Sequence, residues 1–139
     1  MNLLIDSNIL LDILQEREPF IINSYKIWTL CEQKQVEGFI SAITFANIAY
    51  IMRKQIQPDN IDHILKRMSQ IFTFADLKFL DLENAANLKW KDFEDAIQYV
   101  TAERINADYI ITRNVKDFEN TKIPAITPND FLEQVIQSH

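Results

Sequence analysis

Short apolar runs alternate along the chain with longer segments whose apolar residues recur at helical spacing. The runs occupy residues 3–5, 39–40, 72–74, 109–111 and 125–126, and each is typical of a short buried strand. The pattern between them predicts helices over residues 7–14, 20–35, 42–55, 61–71 and 81–88, and another that begins near Asp92 and Asp95. Thr127, followed by a proline, predicts the start of a last helix, whereas Gly38 is expected to form a turn before the second strand.

Strands that are separated by helices, without hairpin turn signals, predict an α/β fold. We expect a three-layer α/β/α architecture in which helices cover both faces of a short, mostly parallel sheet of four to five strands. Ser41 is expected to cap the helix that follows the second strand. Without a repeat or a linker, residues 1–139 are most simply one domain.

Acidic side chains stand at the predicted strand ends and helix starts. Asp6 directly follows the first strand, Asp92 and Asp95 open a helix, and Asp117 lies beyond the strand at residues 109–111. Because parallel strands place their carboxyl ends at one edge of a sheet, we expect these carboxylates to meet there. Each acid also has a structural explanation, since Asp6 and Asp92 can cap helices. Asp95 suits the positive end of a helix macrodipole, and Asp117 can belong to a polar turn.

Composition removes several classes of function. The chain has 14 basic and 20 acidic residues, and the net charge of −6 argues against bulk electrostatic binding of nucleic acid. It leaves open a local site where a metal ion bridges protein acids to phosphate. Gly38 is the only glycine, which excludes a P-loop and a G-x-G-x-x-G dinucleotide turn. The single cysteine, Cys31, excludes an intrachain disulfide, and together with His63 and His139 it is too little for a structural zinc cluster.

Targeting signals are also missing from the sequence. No apolar run approaches the roughly 18 residues that would span a bilayer. The opening letters MNLLID lack the basic region of a secretory signal. We therefore expect no membrane association and a cytoplasmic location.

A group of carboxylates at one sheet edge requires a counter-charge. Two such groups about 4 Å apart repel each other by roughly 4 kcal/mol at an effective dielectric constant near 20. Protons or cations can remove this repulsion, and oxygen ligands without suitable Cys or His partners select Mg²⁺ or Mn²⁺. A hydrated ion of this kind suits the hydrolysis of phosphodiester bonds, because it activates water and neutralises the phosphate.

The sequence resembles the PIN domain family, metal-dependent nucleases that include the VapC-type toxins of bacterial toxin–antitoxin pairs. The matching segments, in family order and spanning residues 3–118, are LLIDSNILLDIL, SAITFANIAYIMRK, DFEDAIQYVTAERINADYIITRN and VKDF. The resemblance places the first family acid at Asp6, accompanied by Asn8, the third at Asp95 and the fourth at Asp117. It implies an endoribonuclease that uses Mg²⁺ or Mn²⁺, an antitoxin protein as partner, and a homodimer.

One position departs from the family pattern. The second family acid is usually a Glu in the helix after Ser-x-x-Thr, and that position is Asn47 in this chain. The sequence looks closest to a PIN branch in which Asn is usual there, and an amide oxygen still accepts a hydrogen bond or contacts a metal-bound water. Asp92 is a candidate for supplying the missing charge. We therefore take Asp6, Asp95, Asp117 and Asn47 as catalytic candidates, with Asp92 as an additional metal ligand.

The segment Thr112–Arg113–Asn114 borders the active site in the family and is the candidate for substrate binding. Thr112 can hydrogen-bond a metal-bound water, and Arg113 can hold a phosphate. A capped turn with a solvated arginine explains the same residues equally well.

Two other classes of function compete with the nuclease. The first is a non-catalytic PIN-like module that binds RNA or protein, which Asn47 and the negative net charge favour modestly. The second is a metal-dependent phosphatase or a response-regulator receiver domain. It shares the acidic edge, but the letters DSNIL stand where a D-x-D-x-T motif would follow the first strand.

Overall fold

A parallel five-stranded sheet forms the centre of the computed structural model, which describes residues 1–137. The strands are β1 (Asn2–Ile5), β2 (Glu37–Ser41), β3 (Thr73–Ala75), β4 (Tyr109–Ile111) and β5 (Ala125–Ile126). Their spatial order is β3-β2-β1-β4-β5, and every neighbouring pair is parallel. The predicted parallel sheet is therefore confirmed, with β1 as its central strand. His139 lies outside the described residues.

Helices cover both faces of this sheet. They are α1 (Ser7–Leu14), α2 (Ile21–Glu32), α3 (Ala42–Ile51), α4 (Ile61–Ile71), α5 (Phe79–Asn87), α6 (Phe93–Arg104) and α7 (Pro128–Asp130), the last of which continues as a π-helix at Phe131–Ile136. Alternate residues of β1 face opposite sides, as the two-residue period of a strand requires. Leu3 and Ile5 pack in the larger core with residues of α1, α2 and α4, whereas Leu4 packs against Tyr99 and Ala102 of α6. The predicted three-layer α/β/α fold is confirmed.

The register of the strands brings three chain segments to the same level at the carboxyl edge of the sheet. Leu4 pairs with Phe39 of β2, and Ile5 pairs with Ile111 of β4. The backbone N–H of Asp6 continues the ladder by donating to the carbonyl of Ile111 at 3.0 Å. The residues that follow β1, β2 and β4 therefore share one edge, as the topology rule for open α/β sheets predicts.

Several local predictions were wrong. Gly38 lies inside β2 rather than in a turn, because β2 already begins at Glu37. The N-cap position predicted for Ser41 in α3 is confirmed, but the buried Ser41 hydroxyl makes no capping hydrogen bond. α3 was predicted to extend to residue 55, but it ends at Ile51. Just beyond this end, the Arg53 guanidinium donates a hydrogen bond to the carbonyl of Tyr50 at 2.8 Å. A basic side chain that satisfies a terminal carbonyl in this way is a common helix stop.

The predicted start of the last helix is confirmed. The Thr127 hydroxyl accepts a hydrogen bond from the backbone N–H of Asp130 at 3.1 Å, and a proline takes the first helical position. None of the helices within residues 1–137 has the length and apolar character that crossing a bilayer requires.

Gly38 allows β2 to pack directly beneath α2, and this close approach gives a test of the core. A methyl group on Gly38 would lie 2.5 Å from the Cys31 sulfur and 2.9 Å from the Phe72 ring. We expect Gly38→Ala to lower the free energy of unfolding by about 1–3 kcal/mol, the usual cost of overpacking a core. Urea denaturation measures this change.

A matched background isolates the cause of that loss. In Cys31→Ala the sulfur is gone, so Gly38→Ala should cost less there than in the wild-type chain. An equal cost in both backgrounds would show that contact with Cys31 is not the reason.

Candidate active site

The carboxylate of Asp6 is buried at the end of β1, where its side chain is only 6% exposed. Its Oδ1 accepts hydrogen bonds from the Ser7 backbone N–H at 2.8 Å and from Gln98 Nε2 at 3.2 Å. Its Oδ2 accepts from the Thr112 hydroxyl at 2.8 Å and from Asn8 Nδ2 at 3.4 Å. These four donors match the roughly four acceptor positions of an ionised carboxylate.

The environment of Asp6 sets two opposing influences on its protonation. Burial raises the pKa of Asp6, because the charged form loses its hydration, and the negative charge of Asp117 raises it further. Hydrogen bonds from Thr112, Ser7 and Gln98 stabilise the anion and oppose that rise in pKa. Burial is the larger influence, so the pKa of Asp6 is raised overall.

Asp95 experiences the charges of the neighbouring acids. Burial, followed by repulsion from Asp92, Asp6, Asp117 and Glu94, raises the pKa of Asp95 to about 7. Four of these five residues are the acids predicted to meet at the sheet edge. Asp6, Asp92 and Asp117 therefore lie close enough to Asp95 to raise its pKa, and Asp117 also acts on Asp6.

An open cleft contains Asp95 and Asp117, the two acids whose charges act together with that of Asp6. Its volume is about 750 Å³, and its lining combines acidic, basic and aromatic side chains from the start of α6 and the turn at Val115–Phe118. The lining residues are Trp90, Lys91, Asp92, Phe93, Asp95, Lys116, Asp117 and Glu119. The site thus has an inner part built around Asp6 and an outer part that is accessible to a large ligand.

Asp92 has the structural role that its position allowed. Its Oδ1 accepts a hydrogen bond from the Asp95 backbone N–H at 3.0 Å, which caps the N-terminus of α6. The cap fixes the first turn of α6, so that Asp95 and the buried Gln98 follow at helical spacing on the side of Asp6.

Asn47 meets a residue that sequence reasoning did not select. Its Nδ2 donates to Glu94 Oε1 at 2.6 Å, joining α3 to the first turn of α6. Glu94 stands immediately before Asp95 in the letters DFEDAIQ, so the signal available in the sequence was a pair of adjacent acids. Of these two acids, only Asp95 matches the family motif.

The side chains of the candidate substrate-binding segment make contacts in two different places, Thr112 with Asp6 and Arg113 with Asp12. Thr112 is fully buried, and its hydroxyl, which donates to Asp6, accepts a hydrogen bond from the Asn114 backbone N–H at 3.0 Å. Arg113 instead forms a bidentate ion pair with buried Asp12, at 2.8 and 3.1 Å, and its guanidinium lies 4.0 Å from the ring centre of Phe20. Arg113 lines a separate cavity of about 450 Å³, and its role in phosphate binding stays a prediction.

The chemistry of the donors fits a hard divalent cation. The side chains around Asp6 offer oxygen ligands, whereas Cys31 is buried in the core and His63 is exposed on α4. Two buried polar atoms at this edge, Gln98 Oε1 and Ser41 Oγ, have no hydrogen-bond partner. A buried acceptor without a donor costs about 1–3 kcal/mol, so Gln98 Oε1 suits a hydrated ion next to Asp6. Within residues 1–137, however, no three His, Cys, Asp or Glu side chains lie close enough to form a metal-binding group.

Several solved structures have the same fold as this chain. A toxin–antitoxin complex from Klebsiella pneumoniae is 25% identical, with a TM-score of 0.65 over 90% of this chain and 96% of that chain. VapBC2 from Rickettsia felis, bound to a DNA fragment from its promoter, is 17% identical with a TM-score of 0.67 over 91% and 98%. FitAcB from Neisseria gonorrhoeae is 16% identical with a TM-score of 0.67 over 91% and 97%.

A family model also covers most of the sequence. No curated protein matches the chain. The model described as PIN domain matches residues 2–116, a range that contains Asp6, Asn47, Asp92 and Asp95, and ends one residue before Asp117. The predicted resemblance is confirmed: the chain belongs to the PIN domain family.

Proposed function

We propose that the chain is a Mg²⁺- or Mn²⁺-dependent endoribonuclease that hydrolyses RNA phosphodiester bonds and acts as the toxin of a toxin–antitoxin pair. The observation that carries this proposal is the buried carboxylate of Asp6 within electrostatic reach of Asp95 and Asp117. Membership of the PIN domain family supports a nuclease, as the family resemblance implied. The structural similarity to the Klebsiella pneumoniae toxin–antitoxin complex supports an antitoxin partner.

Asp6, Asp95 and Asp117 would hold the ion in this proposal, with Asn47 and Asp92 at the rim. When bound, a divalent ion lowers the pKa of the attacking water and neutralises charge on the scissile phosphate. Thr112 and Asn8 keep Oδ2 of Asp6 in a fixed orientation through their hydrogen bonds.

The lysines of the open cleft suit an RNA backbone. Lys91 and Lys116 line the same cleft as Asp95 and Asp117, so they place positive charge near the acids of a protein whose net charge is −6. We also propose a cytoplasmic location, where an RNA substrate would be met. The homodimer implied by the resemblance stays a prediction.

A non-catalytic PIN-like module that binds RNA or protein is the second candidate. It is favoured by the four hydrogen bonds that already occupy the oxygens of Asp6. A metal ion at Asp6 would have to displace at least one of these donors, whereas a binding module would leave them in place.

Cleavage of labelled single-stranded RNA in Mn²⁺ distinguishes the two functions. We expect the wild-type chain to cut RNA, and Asp6→Asn and Asp95→Asn to lower kcat/KM by about 10²-fold or more, since metal stabilisation of the transition state is worth several kcal/mol. Glu103→Gln, at the other end of α6, removes the same charge and should leave cleavage unchanged.

Two outcomes would contradict the nuclease proposal. Cleavage that persists in Asp6→Asn would identify a contaminating ribonuclease. A wild-type chain that neither cuts RNA nor gives heat when titrated with Mn²⁺ would favour the binding module.

The raised pKa of Asp95 predicts how the stability of the metal-free chain depends on pH. In the unfolded chain Asp95 titrates near its ordinary value of 3.8, and in the folded chain near 7. Between these values the folded state holds the additional proton, so the free energy of unfolding should fall as pH rises from about 4 to about 7. Asp95→Asn removes this titration and should flatten the profile, which urea denaturation at a series of pH values measures.

Mn²⁺ should oppose that loss of stability. The ion competes with the proton on Asp95, so its stabilising effect should grow as pH rises through 7. At a free concentration 100 times Kd, binding adds about 2.7 kcal/mol to the free energy of unfolding. A Mn²⁺ effect that is independent of pH, or equal in Asp95→Asn, would remove Asp95 from the metal site.

A further inference from the structure

We infer that Glu94 supplies the acid that is missing at position 47, so that the fourth carboxylate of the metal site comes from α6 instead of α3. The inference rests on the proposed metal-dependent function. The observation behind it is the 2.6 Å hydrogen bond from Asn47 Nδ2 to Glu94 Oε1, which places a carboxylate directly against the position of the absent family acid.

α3 and α6 face each other at this site through two pairs of side chains. Thr44 and Asn47 are three residues apart on α3, and Gln98 and Glu94 are four residues apart on α6, so each pair shares a helix face. The inner contact joins Gln98 Nε2 to Thr44 Oγ1 at 2.9 Å, and the outer contact joins Asn47 to Glu94. From the inner contact to the outer one, residue numbers rise along α3 and fall along α6, so the facing segments of the two helices are antiparallel. The outer contact therefore lies about one helical turn, roughly 5.4 Å, from the inner contact.

The inner contact connects this arrangement to the buried acid. Gln98 Nε2 also donates to Asp6 Oδ1 at 3.2 Å, while Gln98 Oε1 is buried without a partner. Glu94 therefore stands one turn before Gln98 on the face of α6 that reaches Asp6, and Asp95 lies between Glu94 and Gln98 in sequence. A cation next to Asp6 and Gln98 Oε1 would draw in the carboxylates of Asp95 and Glu94, because within residues 1–137 these side chains do not by themselves form a metal-binding group.

A purely structural role for Glu94 does not account for the charge at the start of α6. The positive end of a helix macrodipole is equivalent to about half an elementary charge, and Asp92 already caps this helix. Glu94 and Asp95 add two further carboxylates. Repulsion from the charge of Glu94 is one of the causes that raise the pKa of Asp95. Retaining both acids in the first turn is explained by a cation that neutralises them.

The amide at position 47 fits this arrangement better than an acid would. Asn47 donates to Glu94, whereas a glutamate at position 47 would place a like charge against it. Asn47 and Glu94 are thus complementary: the amide orients the relocated carboxylate, and the total remains four acids, Asp6, Glu94, Asp95 and Asp117. Asp92, the other candidate for the missing charge, has its cap as a sufficient explanation.

Mn²⁺ titration of the full chain by calorimetry tests this inference without relying on cleavage. Glu94→Gln should weaken Mn²⁺ binding by at least about tenfold, because even outer-shell partners of metal ligands change affinity by that factor. Asp92→Asn keeps a good capping residue and tests the rival assignment, because a loss of Mn²⁺ affinity as large as that of Glu94→Gln would return the missing charge to Asp92. Glu103→Gln, which removes the same charge at the far end of α6, should bind Mn²⁺ like the wild type.

The charge exchange Asn47→Glu with Glu94→Gln provides a test that loss of folding cannot imitate. It returns the acid to the family position, and we expect it to recover most of the Mn²⁺ affinity that Glu94→Gln loses. Equal affinity in Glu94→Gln and the wild type, equal losses in Glu94→Gln and Glu103→Gln, or no recovery in the exchange variant would each overturn the inference.

The proposed function fails in a different way from this inference. If the wild-type chain binds no Mn²⁺ and cuts no RNA, the metal-dependent nuclease is excluded, and the role of Glu94 with it. If the wild type binds Mn²⁺ and cuts RNA while Glu94→Gln does both equally well, only the relocated acid is excluded.

Discussion

A carboxylate that is withdrawn from water has to be surrounded by donors, and at Asp6 the chain meets this requirement with groups from three separate parts of the sequence. Ser7 and Asn8 come from the start of α1, Gln98 from α6, and Thr112 from the segment after β4. An unpaired buried charge would cost several kcal/mol, so each of these elements has to be in place when β1 is buried. The sheet edge is therefore organised around one buried carboxyl group.

In contrast to Asp6, the carboxylate of Asp95 is surrounded by other negative charges. Asp95 carries a pKa of about 7 because burial and four neighbouring acids disfavour its charge. Such repulsion lowers stability in the absence of a counter-ion, and strongly shifted pKa values of this kind cluster at functional sites. The hydrogen bonds to Asp6 thus stabilise the fold, whereas the repulsion at Asp95 would be relieved by the cation proposed for this site.

The sheet could be predicted from sequence because its signals are local. Buried parallel strands leave short apolar runs, and Thr127 followed by proline marks a helix start wherever it occurs. The pairing of Asn47 with Glu94 could not be predicted, because 47 residues separate them and either side chain alone suits an exposed helix. Ser41 had an ideal capping position, but its hydroxyl is buried without a partner, and a propensity cannot anticipate that.

The ion pair between Asp12 and Arg113 shows how a contact outside the cleft fixes the site. Asn8 and Asp12 lie one turn apart on α1, and both reach the segment after β4. Asn8 donates to the Thr112 hydroxyl at 3.2 Å and accepts from the Arg113 backbone N–H at 3.3 Å, while Asp12 binds the Arg113 side chain.

A buried ion pair such as that between Asp12 and Arg113 is a weak source of net stability compared with apolar packing. Its consequence here is positional: it fixes the segment that aims Thr112 Oγ1 at Asp6. The letters SNILLDIL contained the signal, because an aspartate enclosed by leucine and isoleucine in a short helix has to find a partner in the core.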